Sequence, residues 1–221
     1  MIKVVIVDDH ELIRIGLSKL LEAHSGIKVV GTTSTAESVK KIVDEEKPDV
    51  VLMDIKMPGM GGFEATKRLL RHYPNLKIIA ISSCDEEPFP SKLIQAGAIG
   101  FLSKGCNVEE LVLAINKAYN GIRYISPDIA QKMALKKANR EDQNPFEKLS
   151  ERELQVMLMI TSGQKVQDIS NSLCLSSKTV NSYRYRLFEK LNVNNDVELT
   201  HLAIRYGILE NFNQLEENKE K

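Results

Sequence analysis

The sequence predicts two folds in series: a doubly wound α/β domain on a parallel sheet, then a smaller all-helical domain. Three observations carry this. Five short apolar runs alternate with amphipathic helical patterns through the first half of the chain. Those runs are apolar throughout instead of alternating, as strands covered on both faces are. From Leu149 onward the strand signals vanish and only helical patterns continue.

The strand runs are IKVVIV (2–7), IKVVGT (27–32), DVVLM (49–53), KIIAIS (77–82) and AIGFLS (98–103). Between the first two, HELIRIGLSKLLEA puts Leu12, Ile13, Gly16, Leu17, Leu20 and Leu21 on one helical face. TAESVKKIVDE, GFEATKRLLRH and NVEELVLAINKAY are helical patterns too, and EPFPSKLIQAG is one whose Pro88 and Pro90 delay its start. Five strand–helix units of this kind predict a five-stranded parallel sheet in the flavodoxin-like order 2-1-3-4-5. Asn120-Gly121 closes the pattern, so the first domain is expected over 1–121. SPDIAQKMALKKA (126–138) reads as one further helix with Pro127 in its first turn, and NREDQNP (139–145) as a polar linker; together they make 122–146 a linker with a helix.

The second domain is expected over 147–210. SERELQVMLMITSG opens on a capping box, Ser150 and Glu153, and stops at Gly163. VQDISNSL and SKTVNSYRYRLFEKLNV follow, separated by CLS, with Ser177 able to cap the longer helix; DVELTHLAIRYGI is stopped by Gly207. The tail, 211–221, is expected to fray.

Composition excludes more than it asserts. The 221 residues are 43% hydrophobic and 27% charged, with 30 basic and 30 acidic residues, so net charge argues for neither nucleic acid nor membrane. The balance holds in each half, at 16 of each sign in 1–125 and 14 of each in 126–221, and any nucleic-acid signal must be local. Three cysteines without CxxC spacing suggest neither zinc nor a disulfide framework. MIKVVIVDDH runs from a short apolar block into acids, unlike a signal peptide, and no run approaches the ~18 residues of a membrane span. The expectation is a cytoplasmic, reduced location with no membrane partner.

In open parallel sheets ligands bind beyond the carboxyl ends of the strands, where strand order reverses. Asp8 and Asp9 follow the first strand and Asp54 ends the third, its neighbour in the order 2-1-3. Three carboxylates in one crevice repel unless a cation joins them, and hard oxygen ligands suit Mg2+. Ser82 and Lys104 reach the same edge from the fourth and fifth strands. A hydroxyl, an ammonium, a carboxylate nucleophile and a metal together suit phosphoryl transfer. Taken singly, Asp8-Asp9-His10 also reads as a helix cap and first turn, Asp54 as a loop acid and Lys104 as a solvated lysine.

VDDH, LMDIKMPG, AIS and FLSKG, in this order and spacing, resemble the receiver domain of two-component response regulators over about residues 1–120. The resemblance implies Asp54 as phospho-acceptor, and Asp8, Asp9, Asp54 and the backbone carbonyl of Lys56 as ligands of Mg2+. It implies Ser82 as the switch hydroxyl, Lys104 as the lysine that pairs with the phosphate, and Phe101 at the aromatic switch position. Pro58-Gly59 supplies the turn after the acceptor.

The segment 149–193 has the spacing of helix, helix, tight turn and helix. Val180, Leu187 and Leu191 form the inner stripe of the third, and Lys178, Asn181, Ser182, Arg184, Tyr185 and Arg186 its outer face. From 176 to 190 four basic residues meet one acid, a local +3 in a neutral domain, against the plain alternative of a solvated amphipathic helix. The pattern LSERE…G…IS..L..S..TV…R…KL.V resembles the LuxR-type helix-turn-helix of the NarL/FixJ response regulators. That resemblance implies double-stranded promoter DNA, an inverted repeat read by a homodimer, as the ligand. Lys178, Asn181, Ser182 and Tyr185 would face bases or nearby phosphates, and Thr179, Tyr183, Arg184 and Arg186 the DNA backbone. Val197, Thr200 and His201 on the last helix would serve dimerisation. Asn181, Tyr183 and Asp196 depart from a common lysine, histidine and arginine.

MPGMGGFEATKRLL, CDEEPFPSKLIQAGA, RYISPDIAQK, NPFEKLSERELQ and TVNSYRYRLFEKL further resemble the GacA/UvrY/LetA group of global regulators. This implies a BarA/GacS-like hybrid sensor histidine kinase with its histidine phosphotransfer domain as phosphodonor. It also implies, as targets, promoters of small regulatory RNAs that titrate the RNA-binding regulator CsrA/RsmA. The chain would then be no enzyme beyond autodephosphorylation. Two alternatives stand beside this. One is an Mg2+-dependent phosphatase or phosphotransferase with an aspartyl nucleophile, although haloacid-dehalogenase-type enzymes need DxD and Lys56 holds that second position. The other is a receiver that works only through protein partners.

Overall fold

A computed structural model describes residues 1–57, 60–83, 88–138 and 144–209. The Pro58-Gly59 turn, most of NREDQNP and the tail 211–221 lie outside the described residues. Contacts divide the chain into two compact units, the first from Met1–Asp85 and Phe89–Ala138, the second chiefly from residues after 138.

The first unit has the strands β1 (Ile2–Val7), β2 (Ile27–Thr33), β3 (Val50–Asp54), β4 (Lys77–Ser82), β5 (Gly100–Ser103) and β6 (Tyr124–Ile125). Its helices are α1 (Glu11–Glu22), α2 (Val39–Glu46), α3 (Gly61–His72), α4 (Phe89–Gln95), α5 (Val108–Tyr119) and α6 (Pro127–Ala138). The sheet order is β2-β1-β3-β4-β5-β6, every neighbouring pair parallel. Because side chains alternate along a strand, each strand feeds both faces. Val4, Ile6, Leu52, Ile79 and Leu102 pack with Leu21 of α1 and with Leu111, Ala114, Ile115 and Ala118 of α5. Val5, Val7, Val51, Met53 and Ile78 pack on the other side with Val39 and Val43 of α2 and Ala65 and Leu69 of α3. That two-sided burial is why these strands read as uninterrupted apolar runs.

The sheet has six strands where the sequence predicts five. The sixth is two residues long, too short for any periodic signal. Backbone bonds from Tyr124 N to Ile99 O (3.1 Å) and Ser126 N to Phe101 O (3.2 Å) hold it. Glu110 of α5 accepts from the Tyr124 hydroxyl (3.2 Å) and the Ser126 hydroxyl (2.6 Å). The predicted apolar face of α1 also needs correction: Leu12 is 85% exposed and Leu20 is exposed too, while Leu21 is sealed. The buried side of α1 is therefore narrower than the apolar face that spacing alone assigns.

The second unit has a 3-10 turn (Pro145–Lys148) and the helices α7 (Glu151–Thr161), α8 (Val166–Leu173), α9 (Ser177–Leu191) and α10 (Asp196–Arg205). Ser150 and Glu153 form the expected capping box. Ser176, not Ser177, caps α9, its side chain accepting from Thr179 N. Ser177 is therefore the first helical residue. Cys174 takes a left-handed conformation at the end of α8, and Leu175 N closes the turn onto Ser170 O at 2.9 Å. Val180, Leu187 and Leu191 are buried, as the inner stripe of α9 requires. Among the described residues no helix is long and apolar enough to cross a membrane.

Candidate functional site

The parallel register brings the carboxyl ends of β1, β3, β4 and β5 to one edge, and Asp8, Asp54, Ser82 and Lys104 come with them. Asp54 is 2% exposed, Asp8 3% and Ser82 0%. Lys104 Nζ lies 2.8 Å from Asp54 Oδ2 and 2.8 Å from Asp8 Oδ2, so a single ammonium bridges two buried carboxylates. Lys56 N donates to Asp54 Oδ1 (3.0 Å), and Lys104 N donates to Ser82 O (2.9 Å), which ties the ends of β4 and β5 together. Phe101, three residues before the lysine, is fully enclosed.

The charge in this pocket does not balance. Burial pushes the Asp54 carboxyl above its ordinary range, against the pull of Lys104 and with help from Asp8. Lys104 is held above the usual lysine range: burial opposes its charge, but the hydrogen bonds to Asp54 and Asp8 prevail. The two shifts differ in cause: burial dominates at Asp54, and the paired carboxylates dominate at Lys104. Ligand atoms of Asp8, Asp9, His10 and Asp54 lie within 4.8 Å of one another. Asp9 Oδ1 is buried and makes no hydrogen bond, although His10 Nδ1 stands 2.9 Å away. Clustered carboxylate oxygens with one left unsatisfied fit a hard divalent cation.

Three residues that shape this edge escaped the sequence reading. Arg14 of α1 donates from Nη1 to Asp8 O (2.7 Å) and fixes the loop that carries the acids. Glu37 accepts from Met60 N (2.9 Å) ahead of α3. Gly62 lets α3 approach the end of β3: a Cβ there would stand 1.8 Å from Asp54 O. A glycine two residues into a helix could have raised the question, but the close approach is a tertiary fact.

In the second unit, α9 presents Lys178, Ser182, Tyr185 and Arg186 to solvent, while Thr179, Asn181, Tyr183 and Arg184 are half-buried. Some of these groups are already engaged. Thr179 Oγ1 is 2.9 Å from Ser176 Oγ within the cap, and Ser182 Oγ donates to Lys178 O (3.0 Å). Arg186 stands over the Tyr183 ring at 5.9 Å. Arg184 is turned to Asp196, at 2.7 Å from Nε and 2.6 Å from Nη2. On α10, Val197 and His201 are exposed, and Thr200 is half-buried with its hydroxyl on Asp196 O (2.7 Å).

Comparison with known proteins agrees with both halves. Residues 4–116 match the response regulator receiver domain, and 147–203 match the bacterial regulatory proteins of the luxR family. The chain belongs to the two-component response regulators that carry a LuxR-type DNA-binding domain. Within them it stands near two relatives. It is 53% identical to the response regulator GacA of Pseudomonas aeruginosa, over 95% of this chain and 99% of that one. It is 56% identical to the response regulator UvrY of Escherichia coli K12, over 94% and 96%. The solved RcsB response regulator of Salmonella typhimurium, studied for DNA interaction, is 25% identical with a TM-score of 0.76, covering 90% of this chain and 95% of that one. A structure of two RcsB dimers bound to two parallel DNAs aligns at 25% identity and a TM-score of 0.59, covering 91% and 97%. The phosphatase alternative is not favoured by these matches.

Proposed function

We infer that Asp54 is the phospho-acceptor of this regulator and that its modification controls DNA binding through α9. The observation that carries this is Lys104 Nζ held at 2.8 Å from both Asp54 and Asp8, a cation poised where an incoming phosphoryl group would bring negative charge. Asp8, Asp9, Asp54 and the carbonyl of Lys56 are the residues that would hold Mg2+, which when bound supplies charge neutralisation to the phosphoryl oxygens. Asp54, desolvated and turned toward the strand exit, attacks the phosphorus of a phosphohistidine. The P–N bond breaks as the P–O bond forms, and the imidazole leaves with its electron pair. Lys104 moves its hydrogen bond from the Asp54 carboxylate to a phosphoryl oxygen, and Ser82 donates to another. Phe101 holds the closed packing once Ser82 has turned.

β6 offers the route outward, because it is hydrogen-bonded to the strand that carries Phe101 and runs directly into α6. The donor is proposed to be a BarA/GacS-like hybrid sensor kinase through its phosphotransfer domain. The DNA is proposed to be an inverted repeat in promoters of small regulatory RNAs, bound by a homodimer through Val197, Thr200 and His201. Lys178, Asn181, Ser182 and Tyr185 would meet bases or nearby phosphates, and Thr179, Tyr183 and Arg186 the backbone; Arg184, expected with the latter, is instead held by Asp196. The regulator is proposed to act in the cytoplasm, with no turnover beyond loss of its own phosphoryl group.

The test uses acetyl phosphate as donor. Wild type gains the mass of one phosphoryl group and binds promoter duplex more tightly, whereas Asp54→Ala does neither. Equal stimulation of both proteins would remove Asp54 from the mechanism.

A further inference from the structure

Arg184 does not stand on α9 as a free cation. Its guanidinium meets Asp196, the first residue of α10, through two hydrogen bonds of 2.7 and 2.6 Å, and also stacks over the Phe188 ring at 5.4 Å. Tyr185 packs edge-on against the same ring, with centroids 6.4 Å apart. Most surface ion pairs contribute little, because two long side chains must be held still. Bidentate, ring-stacked arginines are the exception, since the planar fork is matched on two sides at once. A DNA phosphate asks for that same fork in that same geometry. Asp196 therefore occupies the guanidinium in the way a phosphate would, and one residue cannot serve both fully.

We propose that Asp196 is a specificity-determining residue that acts through Arg184: by holding the guanidinium at the start of α10 it keeps one cation of the recognition helix off the DNA backbone. Sequence-independent attraction is lowered by about one phosphate contact, and discrimination rests more heavily on Lys178, Asn181, Ser182 and Tyr185. The pair also anchors α10 to α9, so the helix proposed for dimerisation and the helix proposed for recognition move as one body. This rests on the reading of α9 as the DNA-facing helix.

The experiment compares three full-length proteins treated with acetyl phosphate: wild type, Asp196→Asn, and the double variant Arg184→Gln with Asp196→Asn. Each is titrated with a duplex of scrambled sequence across a range of salt. Wild type and the double variant carry the same net charge at these two positions, so they isolate the guanidinium's contact from bulk charge. The expected result is equal slopes of log K against log salt for those two. Asp196→Asn alone is steeper by about 0.9 and binds about five- to tenfold more tightly near 0.1 M salt. A wild-type slope about one unit steeper than the double variant's would show Arg184 already on a phosphate and overturn the proposal. So would an Asp196→Asn slope equal to the double variant's. Binding by none of the three would count against the α9 interface itself and, with it, this inference. Thermal midpoints of the three, taken in parallel, confirm that each is folded.

Discussion

Asp54 in the first unit and Glu153 in the second are both nearly sealed from solvent, yet they titrate in opposite directions. Asp54 shares one ammonium with Asp8, and burial prevails, so its carboxyl is pushed up. Glu153 accepts from Ser150 N (2.7 Å), Ser150 Oγ (2.9 Å) and Lys190 Nζ (2.7 Å). Burial works against its charge too, but those donors outweigh it and pull the carboxyl below its usual range. Asp54 has one donor on each oxygen and shares its ammonium with Asp8, whereas Glu153 gathers three donors on one oxygen. At the sheet edge two acids share one ammonium; at the joint between helices one acid has an ammonium to itself. Burial therefore prevails at the receiver edge, and hydrogen-bond donors prevail at the α7–α9 joint of the DNA-binding domain.

Three substitutions would break or sharpen that contrast. Gly62→Ala has the largest expected effect. Its Cβ would sit 1.8 Å from a backbone oxygen that cannot retreat without moving β3. We expect a loss of at least about 3 kcal/mol in urea unfolding of the receiver, with phosphoryl uptake falling alongside. Glu153→Ala should come next, at about 2 kcal/mol, because it removes the reciprocal cap and the partner of Lys190 together. Since the folded-state pKa of Glu153 is lowered, its contribution is present above its ordinary value of 4.5 and is lost as the pH falls through the folded value. The gap between wild type and Glu153→Ala in a thermal melt should therefore close in acid.

Asp54→Asn should be the smallest and of opposite sign. A raised folded-state pKa means that the charged form costs stability at neutral pH, and that nothing is lost or gained below the ordinary value of 3.8, where both states are protonated. The amide variant should melt higher than wild type at pH 7, and the difference should fade on acidification toward that value. A variant that melts lower at pH 7 would mean that the Lys104 pair outweighs burial, and the contrast between the two carboxylates would collapse.

Much of this was legible in the chain because the relevant physics is local or periodic. A strand covered on both faces must be apolar at every position, so the receiver's strands announce themselves. An acid, hydroxyl or lysine that closes such a strand must lie at the sheet's edge, which places Asp8, Asp54, Ser82 and Lys104 together once the order 2-1-3-4-5 is granted. The capping box at Ser150 and the inner stripe of α9 are legible for the same reason, since their spacing is fixed by the helix turn.

What the sequence could not decide depends on which distant groups meet. The two-residue β6 carries no period and exists because Glu110 and the free edge of β5 receive it. Ser176 and Ser177 are equivalent caps by composition, and only the start of α9 separates them. Leu12 and Leu20 fit the apolar face of α1 by spacing, but the packed domain leaves them exposed. Gly62 is required by a backbone that arrives from β3, and Arg184 is claimed by an aspartate twelve residues away. Local pattern chose the elements and the chemistry at their ends. Only the packed structure chose the partners, because an ion pair or a close approach is a property of two chain segments and is written in neither alone.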